Sequence, residues 1–114
     1  MEVELIEDKK EIEEIINNKI KDKKLIFSNY YRIGILKRGI EHEKVIEVFN
    51  QFDKVKTIEK ENLPKGDIGY ELFYSLSNNT TFSIATIPKD DKLIIVHAVE
   101  YKRKLDHRFK KFKL

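Results

Sequence analysis

Three observations on the sequence predict an α+β fold, with N-terminal helices packed on one face of an antiparallel β-meander and a basic, helical C-terminal tail. Apolar residues recur at helical spacing up to about residue 52, at a period of two over 53–100, and in a lysine-rich segment over 101–114. A chain of 114 residues fits one compact domain, so 1–114 is read as a single domain made of a helical half, a sheet and a tail.

Asp8 and Glu11 have capping-box-like spacing, and Ile12, Ile15, Ile16 and Ile20 follow at helical intervals, which predicts a first helix over about residues 9–21. The run Leu25-Ile26-Phe27 is too short to assign, and either a strand or the start of a helix fits it. Ser28 or Asn29 is suited to cap a second helix through "YYRIGILKR", with Gly39 ending it in the left-handed conformation. Val45, Val48, Phe49 and Phe52 then stand at i, i+3, i+4 and i+7 and define a third helix.

From Asp53 the period changes. "KVKTIEK" reads as a polar edge strand, and "ENLPKGD" as a loop broken by Pro64 and Gly66. "IGYELFYSL" alternates as a strand does, and Asn78-Asn79 turns it into "TTFSIATI" as a hairpin. Ile87 to Asp91 reads as a second turn with Pro88 at its i+1 position, leading into "KLIIVHAV", an apolar run expected of a central strand covered on both faces.

Composition narrows the function. Forty per cent hydrophobic residues with seven Phe and five Tyr give enough apolar material for a packed interior. The absence of Cys excludes disulfides, thiolate metal sites and cysteine nucleophiles. "MEVELIEDKK" lacks the basic start and apolar centre of a signal peptide, and no apolar run has membrane-spanning length, so a cytoplasmic protein with no membrane partner is expected. No Gly-rich phosphate loop, dinucleotide fingerprint or metal-ligand spacing is present, and no cofactor or metal is expected. Charge is concentrated: Tyr101 to Leu114 holds seven Lys or Arg against one Asp, although the whole chain carries only +3.

The candidate binding residues follow from that map. Arg bonds phosphate bidentately, Lys supplies mobile charge and Tyr stacks on unpaired bases, so Tyr101 with Lys102, Arg103, Lys104, Arg108, Lys110 and Lys111 suits an RNA or DNA backbone. Tyr30, Tyr31, Arg32, Lys37 and Arg38 form a second basic and aromatic cluster, and the two clusters line one groove if the second helix lies near the end of the last strand. His97 interrupts an apolar strand, where a polar group needs a backbone or Tyr partner or a groove to face. His42 and His107 are expected at the surface. Leu105, Phe109 and Phe112 recur at i, i+4 and i+7, so the tail also reads as a segment that docks an apolar stripe while its lysines stay solvated.

The order "YYRIGILKRGIEHEKVIEVF", "YELFYSL", "TFSIATI", "KLIIVHAVEYKR" resembles the RelE/ParE superfamily of toxins, in particular its BrnT-like branch, over residues 28–103. The resemblance implies a metal-independent endoribonuclease or an inactive relative, held by an antitoxin-like partner. It implies His97, Tyr101 and Arg103 as catalytic candidates, with Arg38 from the Arg-Gly-Ile turn. The sequence departs from that pattern where Tyr30 stands in place of a His, where Gly34 stands in place of a basic residue, and in its acidic first helix. In composition, rich in Lys, Glu and Ile with a single Gln, the chain resembles small proteins of thermophilic archaea and their viruses, while seven Asn argue the other way. The rival reading is a non-catalytic, homodimeric interaction protein with a docked C-terminal helix.

Overall fold

The computed structural model describes residues 3–102. Its elements are β1 (Val3–Ile6), α1 (Lys9–Ile15, continued as a π-helix through Ile16–Ile20), β2 (Lys24–Phe27), α2 (Asn29–Arg38), α3 (His42–Phe49), a 3-10 turn at Phe52–Lys54, then β3 (Val55–Asn62), β4 (Ile68–Ser75), β5 (Thr81–Lys89) and β6 (Lys92–Tyr101). Among the described residues the protein is a mixed α+β structure with a six-stranded, mostly antiparallel sheet in the order β1-β3-β4-β5-β6-β2, in which β2 pairs in parallel with β6.

Local chemistry sets the helix ends. The Asp8 carboxylate accepts from the Glu11 N–H at 2.9 Å and opens α1. Ile12, Ile16 and Ile20 are all buried, and the wider π turn keeps a spacing of four from drifting around the helix. Gly39 takes φ 68° and closes α2, and the Ile40 N–H bonds back to the Ile35 carbonyl.

The strand register separates two sheet faces. Ile6, Ile58, Leu72, Ile84 and Ala98 face one another across successive strands on the first face. They belong to one buried apolar cluster that also holds Ile12, Ile16 and Ile20, Tyr31 and Ile35 of α2, and Val45, Val48 and Phe49 of α3. The second face carries Thr57, Phe73, Ser83 and Val99 in one row and Glu59, Glu71, Ala85 and His97 in the next.

Several expectations are corrected. "KVKTIEK" is not an edge strand: β3 lies between β1 and β4, with Thr57 and Ile58 buried. The edges among the described residues come from the half of the chain read as helical, where Leu25 to Phe27 alone was open to a strand, because β1 crosses to β2 by way of α1 and the two lie at opposite ends of the sheet. The second turn is Asp90-Asp91, with Asp90 at φ 58°, while Pro88 sits within β5 opposite Leu93. A proline fits there because the β4 to β5 pairing ends at Tyr70 and Thr86, so no ladder bond is lost on that side. Tyr101 ends β6 instead of starting the tail, and the expected tail helix lies outside the described residues. Among the described residues no helix is long and apolar enough to cross a membrane.

Candidate nucleic-acid interface

The second helix is held at both ends before its surface is considered. The Ser28 hydroxyl accepts from the Tyr31 N–H at 3.0 Å and donates to the Ile95 carbonyl of β6 at 3.2 Å, which fixes the start of α2 against the sheet. Tyr31 and Ile35 turn into the core. The Tyr31 hydroxyl is hydrogen-bonded to His42 Nδ1 at 2.8 Å, and Phe27 meets the His42 ring edge-on at 4.6 Å between centroids. Burial raises the pKa of the Tyr31 phenol, with Arg32 opposing and Glu43 adding to the shift. His42 is therefore half-buried, contrary to the surface position expected of it.

The other side of α2 is open. Tyr30, Ile33 and Leu36 are 63%, 54% and 80% exposed, and Arg32, Lys37 and Arg38 stand exposed around them. Burying one side of the helix leaves the second apolar set with nothing described to cover it, an exposed grouping of the kind that marks contact surfaces. The helix contains no carboxylate, and among the described residues none of its three cations makes a salt bridge. Gly34 contributes by what it lacks: a Cβ there would lie 2.6 Å from an Arg38 guanidinium nitrogen, so the Arg38 side chain folds back along the helix over the bare backbone.

Of the expected catalytic residues, His97 and Tyr101 sit elsewhere, on β6. His97 Nε2 lies 3.2 Å from Glu71 Oε2, the two reaching toward each other over Ala85, which pairs with both. This carboxylate, in place of the expected backbone or Tyr partner, satisfies the strand histidine. Tyr101 lies four residues further along β6, about 13 Å at a strand's rise, so the two do not meet as an acid–base pair. Both belong to the second face by register, whereas the buried side of α2 belongs to the first-face cluster. Lys102 Nζ bonds Glu100 at 3.3 Å. Arg103, Lys104, Arg108, Lys110 and Lys111 lie outside the described residues, as does His107.

A shallow groove of about 300 Å³ lies elsewhere, between α1 and the start of β3, lined by Glu7, Lys9, Glu13, Asp53 and Lys56 among others. None of the described candidate residues lines it. Among the described residues no three His, Asp or Glu side chains gather as a metal site would require. Sequence reasoning missed the Phe27, Tyr31 and His42 group and the exposure of Ile33 and Leu36. The signal for the latter was present, since Ile33 and Leu36 fall off the line of Tyr31 and Ile35 on a helical wheel. Comparisons with protein-family models, with curated proteins and with solved structures give no match for this chain.

Proposed function

We propose that the protein binds nucleic acid, with α2 as its contact surface and a helical layer against one face of the sheet as the frame. The observation that carries the reading is the exposed side of α2, where Arg32, Lys37 and Arg38 surround Tyr30, Ile33 and Leu36 and, among the described residues, have no carboxylate partners. Cations free of competing ion pairs are available to phosphates, and an exposed Tyr offers a face for an unpaired base. RNA is the nucleic acid that the RelE/ParE-like resemblance implies. Binding without cleavage is the form best supported, because His97 is engaged with Glu71 and stands apart from both Tyr101 and the α2 surface.

The test is affinity for labelled single-stranded RNA and double-stranded DNA at 50 and 200 mM salt, with the RNA checked on a gel for cleavage. The triple substitution Arg32→Gln, Lys37→Gln, Arg38→Gln is expected to weaken binding and to reduce the slope of log affinity against log salt by about 2 for single strands. Unchanged affinity and slope in a folded triple variant would overturn the assignment of α2. Cleavage by the wild-type chain would overturn the non-catalytic form.

A further inference from the structure

The exposed side of α2 shows two chemistries side by side, and they ask for different parts of a ligand. Tyr30, Ile33 and Leu36 recur every three residues and are three of the four large apolar side chains that stand more than half exposed among the described residues. Helix propensity does not explain the row, since a β-branched Ile is a poorer helix former than the Lys or Glu that would also keep the surface wet. At a rise of about 1.5 Å per residue the row is about 9 Å long, with about 4.5 Å between successive side chains. Arg32 falls on one side of it on a helical wheel. The Arg38 guanidinium falls on the other, because it lies over Gly34, the i+4 neighbour of Tyr30. Lys37 stands beside Ile33 by the same spacing.

We propose that the occupant of this row is the unpaired bases of a single strand, so that α2 prefers single-stranded nucleic acid to a duplex. The inference rests on the nucleic-acid reading above and narrows it. Successive nucleotides along a stacked strand stand about 3.4 Å apart, so about three of them span the row. Tyr30 covers the apolar face of one base by stacking, Ile33 and Leu36 meet the next by apolar contact, and the phosphates reach the cations on either flank. A duplex hides those faces and presents phosphates and polar base edges, for which Ile33 and Leu36 carry no donor or acceptor. Every base has such a face, so little sequence preference is expected. A second copy of the chain fits this surface less well, because two such helices would oppose three cations to three with no carboxylate on either.

Competition on the full chain at 50 mM salt, between an unstructured RNA strand of about twelve nucleotides and the same strand annealed to its complement, reads the preference. The single strand is expected to bind about tenfold tighter. Tyr30→Ala is expected to weaken it about tenfold without changing the slope of log affinity against log salt, and Tyr30→Phe to keep the wild-type affinity, because stacking needs the ring and not the hydroxyl. The double variant Ile33→Ser, Leu36→Ser, at two exposed positions outside the core, should act as Tyr30→Ala does. Equal or tighter binding of the duplex, or unchanged single-strand affinity in Tyr30→Ala, would overturn the inference and leave the cationic contact standing. No binding of either form would overturn the nucleic-acid reading with it. Retention on phosphatidylserine vesicles, or a dimer, that the double variant loses while its RNA affinity stays unchanged would overturn the inference in favour of a membrane surface or a second copy.

Discussion

The hydroxyl of Tyr74, near the end of β4, donates to the carbonyl of Phe49 at the end of α3 across 2.9 Å. The contact joins the sheet to a helix terminus whose last carbonyls have no partner within the helix. Burial makes both groups dependent on it, since neither has water as an alternative.

Tyr74→Phe is therefore expected to cost about 1–3 kcal/mol at neutral pH, because the buried Phe49 carbonyl loses its donor while the ring packing is kept. Denaturant unfolding of the two proteins measures it, and a difference below a few tenths would show that the carbonyl finds another donor.

The same residue predicts alkaline behaviour. Burial pushes the Tyr74 phenol far above its ordinary value of 10.0, and Tyr31 and Tyr70 shift the same way, Tyr70 with a smaller push from Glu4. The folded chain then holds protons that the unfolded chain releases. Their contribution is fully present below pH 10 and falls as pH rises from there toward the folded-state values. Stability followed from pH 8 to 11 should decline, and Tyr74→Phe should flatten the decline relative to its own value at pH 8. Parallel curves would assign the loss to other groups.

The helix ends offer two cleaner substitutions. Ser28→Ala removes a cap that also bonds the Ile95 carbonyl, and about 1 kcal/mol is expected to be lost. Gly39→Ala forces a side chain onto φ 68°, with a similar cost, and Gly39→Asn should recover part of it because Asn tolerates that conformation. Equal stabilities for Ala and Asn at position 39 would rule out backbone conformation as the cause.

These capped ends were the parts most legible in the sequence, because each is written in three or four neighbouring residues: Asp8 with Glu11, Ser28 ahead of α2, Gly39 after Arg38. Pairing between distant strands was not. "KVKTIEK" looks polar on both sides, and only the pairing of Glu4 with Lys60 and of Leu5 with Glu59 makes it an inner strand. The partner that does this is a four-residue strand in an acidic stretch, too short to stand out by period. Leu25 to Phe27 likewise became a strand through a parallel ladder with β6, which no local pattern announces. At the candidate site, residue types pointed to α2, but which of its apolar residues stay exposed depended on where Tyr31 and Ile35 found the core. His97 showed its need for a partner in sequence, and the fold alone brought Glu71 to it from two strands away.

Gly34 separates stability from binding. A glycine within a helix costs about 1 kcal/mol relative to Ala, so Gly34→Ala should stabilise α2 if its new Cβ can be accommodated. The atom it meets, at 2.6 Å, is the far end of the Arg38 side chain, which can swing away without disturbing the backbone. The expected outcome is a protein as stable as the wild type or more so, with Arg38 displaced from its path along the helix and a weaker hold on RNA. Binding isotherms and thermal unfolding on the same sample decide it. Weaker binding with undiminished stability supports a positioned Arg38 at the interface, whereas unchanged binding would mean that Arg38 acts only as a mobile charge. A clear loss of stability would instead show that the guanidinium is held in place over Gly34 by the fold.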